Sequence, residues 1–274
     1  MTHQSLVKPP LVMGIVNVTP DSFSDGGRHA TAEAALVHAL KLIEQGADVL
    51  DVGGESTRPG SDPVDEAEEI ARVAPLIAEI RARWGGRISI DTMKPAVARA
   101  AVAAGATMWN DVTALNHASD SLATAAELGC EVVLMHMKGA PKTMQDDPRY
   151  DDVVAEVVAF LAERAEAAVA AGIAREKIWL DPGIGFAKTT AHNLTLTARL
   201  GALVDLGFPV LYAASRKRLV QGVDAAAIEA GDRLGGSLAL ALEGGRRGAR
   251  MVRVHDVRET VQALKLQAAV TAAG

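Results

Sequence analysis

Eight short hydrophobic runs are spaced along the chain, and longer stretches of helical composition separate them. Each run is continuous rather than alternating, which is typical of parallel strands buried on both faces. Parallel neighbours also need a long crossover connection, usually a helix. We therefore predict strands over residues 11–16, 49–52, 88–90, 108–109, 132–135, 178–180, 210–213 and 251–254.

The intervening stretches are rich in Ala, Leu, Glu and Arg, residues that favour helix. They predict helices over residues 31–45, 64–83 and 151–171, among others. The Asp-Ser pair at 120–121 and the Asp-Asp pair at 151–152 can cap exposed amide groups at helix starts. Glycines that would stop helices come shortly before the next strand. They are Gly46, Gly105, Gly129, Gly172 and Gly207.

Eight strand–helix units in 274 residues match the size and rhythm of a (β/α)8 TIM barrel. We find no linker or shift in composition, so one domain spanning residues 1–274 is the simplest interpretation. The first and second βα loops, after residues 17 and 53, are predicted to be long and rich in turn residues. In such barrels the chemistry lies at the carboxyl ends of the strands.

Composition restricts the classes of function. The formal net charge of −6 argues against a broad nucleic-acid surface. No apolar stretch approaches the roughly 20 residues that span a bilayer, and the start of the chain does not resemble a signal peptide. Cys130 is the one cysteine and is expected to be a buried core residue. A cytoplasmic location is the resulting prediction.

Four basic side chains are predicted to meet at the rim. Arg58, Lys217, Arg253 and His255 come from the segments after strand two, after strand seven and at the end of strand eight. The last two segments commonly bind phosphate in these barrels. Residues 215–218 are also expected to begin a helix, whose free amide groups attract anions. A local phosphate site is the interpretation we favour over a solvated basic face.

Carboxylates and amides form a second predicted group. Asp91, Asn110 and Asp181 end strands three, four and six, so they should point into one central cavity. With Lys217 they present the paired donors and acceptors that would hold the edge of a flat, nitrogen-rich heterocycle. Asp91 could instead cap a helix, and Asp181 could belong to a simple turn.

Metal chemistry is predicted to be sparse. Asn17 ends the first strand, close in sequence to Asp21, and such oxygen ligands suit a Mg²⁺ ion shared with substrate phosphates. No spacing typical of zinc ligands occurs. His136, at the end of strand five, is expected to be a hydrogen-bonded rim or core residue rather than a metal ligand.

Covalent acyl chemistry is disfavoured by the sequence. No GxSxG motif occurs, and neither Ser56 nor Ser215 has a base beside it in the chain. A nucleophilic serine needs such a base within hydrogen-bond reach.

Eight motifs, taken in order, resemble the dihydropteroate synthase family, the sulfonamide targets of folate synthesis. The resemblance runs from about residue 12 to residue 264, nearly the whole chain. The matching segments are MGIVNVTPDSFSDGG, DVGGESTRPG, ISIDT, NDVTAL, VLMHMKGAPKTMQ, LDPGIGFAKT, ASRKRL and VRVHDV.

The resemblance implies roles for matching positions. The residues that it places around the pterin are Asp91, Asn110, Asp181, Lys217 and Arg253, with Arg253 stacked over the ring. Those implied to contact the diphosphate are Asn17, Arg58 and His255, with Asn17 binding the metal. Those implied to line the para-aminobenzoate pocket are Phe23, Thr57, Pro59, Phe186 and Ser215. The residues expected to matter most for catalysis are Asp91, Asp181, Lys217, Arg253 and His255.

The implied reaction joins hydroxymethyl-dihydropterin diphosphate to para-aminobenzoate, giving dihydropteroate and diphosphate. Mg²⁺ is the implied cofactor, sulfonamides are implied competitive ligands, and a homodimer is the implied assembly. Because an electron-poor aniline is a weak nucleophile, departure of diphosphate before attack is favoured. A methyltetrahydrofolate methyltransferase on the same scaffold and a non-catalytic pterin binder are the alternatives.

The chain departs from the family pattern at three positions. Many members have Phe where this chain has Ile184, and Gly where it has Ala187 or Ala214. An added methyl group at a close backbone approach could change the shape of the pocket.

Overall fold

The computed structural model describes residues 9–18, 28–56, 62–139, 144 and 148–273. Within these ranges eight parallel strands lie side by side in the order β6-β5-β4-β3-β2-β1-β8-β7. Their bounds are Leu11–Asn17 (β1), Val49–Gly53 (β2), Arg87–Asp91 (β3), Met108–Asp111 (β4), Glu131–Met135 (β5), Ile178–Asp181 (β6), Leu211–Tyr212 (β7) and Met251–Val254 (β8).

A bridge between Leu180 and Val210 joins β6 to the segment before β7 and nearly closes the sheet into a barrel. The predicted fold class is therefore confirmed. Strand β7 has only the two central residues of the predicted run 210–213, and Val210 pairs with Leu180 across the closing seam.

Helices alternate with the strands and cover the outside of the barrel. The three helices predicted from composition are present, with ends shifted by at most three residues. The helix bounds are Arg28–Glu44 (α1), Glu66–Arg83 (α2), Pro95–Ala103 (α3), Ser121–Leu128 (α4), Val153–Ala170 (α5), Thr190–Ala198 (α6), Gly201–Val204 (α7), Arg218–Val223 (α8), Leu234–Arg246 (α9) and Val257–Ala273 (α10). Short 3₁₀ turns lie at Arg175–Lys177 and Ala230–Arg233.

The predicted helix boundaries are confirmed at most positions. All five predicted stop glycines have positive φ, and Gly129 (φ 61°) ends α4 in the left-handed region. Asp152 caps α5 by accepting hydrogen bonds from the amides of Val154 and Ala155. The prediction that the Asp120 side chain caps a helix is wrong. Asp120 has φ −98° and ψ 1°, and its carboxylate makes no capping bond to the first turn.

The inside of the barrel is filled at its lower end by buried apolar side chains, here called the barrel plug. These residues belong to seven of the strands and are at most 7% exposed. They are Met13, Val49, Met108, Val133, Trp179, Leu211 and Met251. A larger apolar layer packs between the strands and the surrounding helices, and Cys130 is buried there as predicted.

Candidate active site

A polar layer lies directly above the barrel plug. Because alternate residues of a strand point to the same side, the residue two positions after each plug residue also points inward. On four strands that residue is charged or carries an amide, and it lies nearer the carboxyl end. The pairs are Val49 and Asp51, Met108 and Asn110, Trp179 and Asp181, and Met251 and Arg253.

Arg253 is the centre of this layer. Its Nε donates to Asp51 Oδ2 at 2.5 Å, and its second terminal nitrogen donates to Asp91 Oδ2 at 2.7 Å. Asn110 Nδ2 donates to the same oxygen of Asp51 at 3.2 Å. The structure thus brings together three predicted residues from β3, β4 and β8. One guanidinium fixes two carboxylates in place.

Asp51 is the residue of this layer that the sequence analysis missed. It is fully buried in the middle of β2, inside the apolar run that predicted the strand. A buried carboxylate needs a partner of opposite charge or several hydrogen bonds. An acidic residue inside such a run therefore indicates a buried cation that pairs with it. The sequence does not identify that cation.

Burial raises the pKa of Asp91 to about 7, and the negative charge of Asp51 adds to the shift while Arg253 opposes it. The second oxygen, Asp91 Oδ1, is buried without a partner among the residues described. A buried acceptor without a partner is costly. Asp91 therefore has one oxygen fixed by Arg253 and one available to a ligand.

Asp181 and Lys217 form the opposite side of the layer. Asp181 Oδ1 accepts from the Gly183 amide at 2.7 Å. Lys217 Nζ donates to the Ile184 carbonyl and lies 4.6 Å from the centre of the Phe186 ring. Burial lowers the pKa of Lys217 to about 8, although Asp181 works against that shift, and burial raises the pKa of Asp181.

Ser215 and His255 lie together at the ends of β7 and β8. Ser215 Oγ is 3.1 Å from His255 Nδ1 and also accepts from the His255 amide at 3.2 Å. No base neighbours Ser215 along the chain, but the fold brings His255 within hydrogen-bond reach of it. The contact could not be predicted from sequence spacing, because the two residues are 40 positions apart and meet only at the ends of adjacent strands. Their hydrogen bond fixes the orientation of the imidazole.

The loop that carries Lys217 has its own support. Arg216 lies in the left-handed region, at φ 57°, and donates to the carboxylate of Asp256 at 2.5 and 3.0 Å. The Arg216 amide donates to Ser237 Oγ, and the buried Arg233 donates to the Arg216 carbonyl. Helix α8 begins one residue after Lys217, close to the predicted start.

Asn17, at the end of β1, is half-buried and lies opposite Gly53 on β2. Over the ranges that the structure covers, no group of three or more His, Cys, Asp or Glu side chains could hold a metal ion. One amide oxygen fits Mg²⁺, which commonly takes one or two protein ligands and completes its shell with phosphate and water. Asn17 therefore suits an ion shared with a substrate.

Five predicted residues cannot be placed. Phe23, Thr57, Arg58 and Pro59, together with Asp21 in the first loop, lie outside the described residues. Of the four basic residues predicted to meet at the rim, the structure therefore describes three, Lys217, Arg253 and His255. Within that group, Arg253 is neutralised by two carboxylates and is not available as a simple anion site.

A buried ion cluster behind β2 and β3 was also missed. Lys94 Nζ donates to Glu55 Oε2 at 2.6 Å, to Glu69 Oε2 at 2.7 Å and to the Val64 carbonyl at 2.5 Å. Glu55 Oε2 also accepts from the Val64 amide at 2.9 Å. The cluster ties together the two described ends of the second βα loop. Its members belong to two loops and one helix, so no single sequence motif predicts it.

No helix among the described residues is both long and apolar enough to cross a membrane.

Comparison with known proteins identifies the family. The family model described as "Pterin binding enzyme" matches residues 13–255. The dihydropteroate synthase of Escherichia coli strain K12 is 47% identical over 264 residues, which cover 96% of this chain and 93% of that protein.

Solved structures agree. A Xanthomonas albilineans dihydropteroate synthase with 4-aminobenzoic acid has a TM-score of 0.91 and 52% identity, covering 97% of this chain and 94% of that one. The same enzyme in complex with 7,8-dihydropteroate has a TM-score of 0.87 and 48% identity over 97% and 95%. A Yersinia pestis enzyme with a sulfonamide drug complex has a TM-score of 0.91 and 43% identity over 99% of each chain. This chain therefore belongs to the family of pterin-binding enzymes and, within it, to the dihydropteroate synthases, transferases of folate biosynthesis.

Proposed function

We propose that this chain joins (7,8-dihydropterin-6-yl)methyl diphosphate to para-aminobenzoate by a dissociative mechanism, giving 7,8-dihydropteroate and diphosphate. The observation that carries the proposal is the inward layer of Asp91, Asn110, Asp181 and Lys217 around Arg253. Such a layer offers both acceptors and donors above an apolar floor. The family relationship supplies the substrates, and the layer suits them.

The pterin edge is held by groups of opposite hydrogen-bonding character. Asp91 Oδ1 and the Asp181 carboxylate accept hydrogen bonds from ring and amino N–H groups, while Asn110 can donate or accept. Lys217 donates to ring oxygen or nitrogen. Arg253 stays fixed by Asp51 and Asp91, so its planar guanidinium keeps one orientation toward the ring.

The first chemical step breaks the bond between the pterin methylene carbon and the diphosphate oxygen. The electron pair leaves with diphosphate, and the carbon becomes a cation that the ring nitrogens stabilise. The negative charges of Asp91 and Asp181 would favour that cation. The amine of para-aminobenzoate then forms the C–N bond and loses a proton to the departing diphosphate or to water.

The leaving group is stabilised by the basic end of the site. His255, oriented by Ser215, and Arg58 in the second loop would contact the diphosphate, as the family resemblance implies. Mg²⁺ held by Asn17 would neutralise part of the diphosphate charge when bound. In this mechanism electrostatic interactions stabilise the departing diphosphate. No covalent intermediate on Ser215 is therefore required, even though His255 lies beside it.

The para-aminobenzoate pocket is the less described part of the site. The ring of Phe186 contacts Lys217, and Ser215 precedes Lys217 by two residues in the same loop. Phe23, Thr57 and Pro59 complete the pocket by resemblance. Because a relative binds a sulfonamide in its crystal structure, we expect sulfonamides to compete with para-aminobenzoate here.

A homodimer in the cytoplasm is the proposed state of the protein. Apolar side chains are exposed late in the chain, at Ile228 (60%) after α8 and at Leu266 (65%) and Val270 (66%) on α10. Leu266 and Val270 lie one turn apart on α10, and neighbouring exposed apolar residues often mark a protein interface. The one cysteine, Cys130, is buried and unpaired, in keeping with a reducing compartment.

The reaction is tested by incubating purified protein with the dihydropterin diphosphate and Mg²⁺, with and without para-aminobenzoate. Formation of dihydropteroate together with equimolar diphosphate supports the proposal. Pterin binding without product would favour the non-catalytic alternative. Transfer of a methyl group from methyltetrahydrofolate would favour the methyltransferase.

A further inference from the structure

Lys188 is a buried lysine to which the proposed mechanism gives no role. It ends the turn of residues 182–188 after β6 and is 3% exposed. Its Nζ lies 2.9 Å from His136 Nδ1, 3.0 Å from the Phe186 carbonyl and 3.3 Å from the His136 carbonyl. Among the described residues no carboxylate forms an ion pair with it. Backbone dipoles and one imidazole therefore hold this amine.

These three partners satisfy Lys188 in either protonation state. An ammonium group has three N–H donors, one for each partner. A neutral amine has two donors for the carbonyls, and its lone pair accepts from the Nδ1–H of the other imidazole tautomer. Burial lowers the pKa of Lys188 to about 7; Asp181 opposes the shift, whereas Lys217 and Lys138 add to it. Both protonation states can therefore make these three contacts.

The turn is built closely around this side chain. Gly183, Gly185 and Ala187 all have positive φ, at 68°, 82° and 50°. A Cβ on Gly183 would lie 1.9 Å from the His136 carbonyl oxygen, so the turn presses against the end of β5. Lys188 reaches back into the turn and bonds both the His136 and the Phe186 carbonyls. Its amine thus links β5 to the far end of the turn.

The other side of the same turn contacts the pterin-binding lysine. Lys217 Nζ donates to the Ile184 carbonyl and lies over the Phe186 ring. A Cβ on Gly185 would lie 2.9 Å from Lys217 Cδ. The path of the turn therefore fixes where Lys217 can place its amine.

We propose that Lys188 is a positioning residue of the synthase: by tying the 182–188 turn to β5, it sets the position of Lys217 toward the pterin. It touches no substrate itself. This inference rests on the proposed function, because turnover is its readout.

The test begins with Lys188→Met, which keeps the approximate volume and removes the donors. A displacement of about 1 Å in a positioning group can cost roughly a hundredfold in rate. We expect a loss of about that size in kcat/KM for the pterin diphosphate. Lys138→Met is the matched control. It removes a half-exposed lysine that contacts the same Tyr150 ring, and it should stay within about threefold of the unchanged protein.

A double-mutant cycle separates positioning from a general structural role. If Lys188 acts through Lys217, adding Lys188→Met to Lys217→Met should cost less than about fivefold, because residues that act through a shared backbone segment are not additive. An unchanged hundredfold loss in that background would overturn the proposal. So would near-normal activity of a folded Lys188→Met protein.

Urea unfolding is recorded for every variant. If Lys188→Met is not folded, the same cycle is run with Lys188→Gln, which keeps an amide donor. Absence of product from the unchanged protein would instead count against the proposed function, so the two failures are distinguishable.

Discussion

The two sides of the rim hold buried cations in opposite ways. On one side, here called the acidic side, Arg253 is paired with Asp51 and Asp91, and Lys94 with Glu55 and Glu69. The other is here called the carbonyl side. There, Lys188 and Lys217 are held by the carbonyls of residues 136, 184 and 186, and by aromatic or imidazole rings.

The difference appears in the protonation of the cations. Burial alone would lower the pKa of Lys94, but its hydrogen bonds to Glu55 and Glu69 raise it above the ordinary value. On the carbonyl side no such carboxylate bond exists among the described contacts, and burial lowers the pKa of Lys188 to about 7 and that of Lys217 to about 8. The cations of the acidic side thus stay charged, whereas the two lysines of the carbonyl side can exchange protons near neutral pH.

The largest effect is expected from breaking the acidic side at Lys94→Met. The change leaves the buried Glu55 and Glu69 without their cation, which typically costs about 3–5 kcal/mol of stability. Urea unfolding measures it, with the exposed Lys41→Met as control. The deficit should shrink as pH falls, because burial already raises the pKa of Glu69, which would take up a proton in the folded variant. A deficit below about 1 kcal/mol at neutral pH would show that the ion cluster contributes no more to stability than an exposed ion pair.

One substitution on each side tests the site itself. Asp91→Asn removes charge from the acidic side, and Lys217→Ala removes the cation of the carbonyl side. Loss of one preorganised electrostatic contact typically costs about 2.7–4 kcal/mol, or roughly a hundred- to a thousandfold in rate. Steady-state dihydropteroate formation measures both. A near-normal kcat/KM for either variant would remove that residue from the site.

The pH dependence of activity should report one group from each side of the rim. Burial raises the pKa of Asp91 to about 7 and lowers that of Lys217 to about 8. If the reaction needs the carboxylate and the ammonium, activity is lost as pH falls through about 7 and again as it rises through about 8. A narrow bell in kcat/KM is expected, with limbs of about tenfold per pH unit. In Asp91→Asn the acid limb should disappear; its persistence would assign that limb to another group.

The smallest effect is expected at Ala187 of the carbonyl side. Its φ of 50° places a Cβ in the left-handed region, which costs roughly 1–2 kcal/mol. Glycine would relieve that strain but lose about 0.5–1 kcal/mol to chain entropy. Ala187→Gly should therefore stabilise the protein by about 0.5–1 kcal/mol in urea unfolding. A destabilised variant would indicate that the methyl group makes packing contacts worth more than the strain.

Strand positions and the inward polar residues could be predicted from sequence because both follow local rules. Continuous apolar runs predict buried parallel strands, and a polar residue at the end of such a run faces the rim. Asp91, Asn110, Asp181 and Arg253 were found by that rule or by family resemblance, and the structure places all four in one layer.

Partners across the barrel could not be predicted. Arg253 and Asp51 are 202 positions apart, and Lys94 meets Glu55 from 39 positions away. Lys188 carries no signal at all, because its partners are mainly backbone carbonyls, which every residue possesses. Pairing of buried charges depends on closure of the whole barrel, whereas strand formation depends on neighbours along the chain.

The proposed mechanism requires that the bond from the methylene carbon to the diphosphate oxygen breaks before the amine attacks. Positional isotope exchange can detect that order. The oxygen between the methylene carbon and phosphorus is labelled with a heavy isotope, and the pterin diphosphate is incubated with enzyme and Mg²⁺ but no para-aminobenzoate. Reversible cleavage predicts that the label moves to non-bridging positions, and more slowly in Asp91→Asn. Product formation at the normal rate on adding para-aminobenzoate, with no movement of label beforehand or during turnover, would contradict the dissociative account.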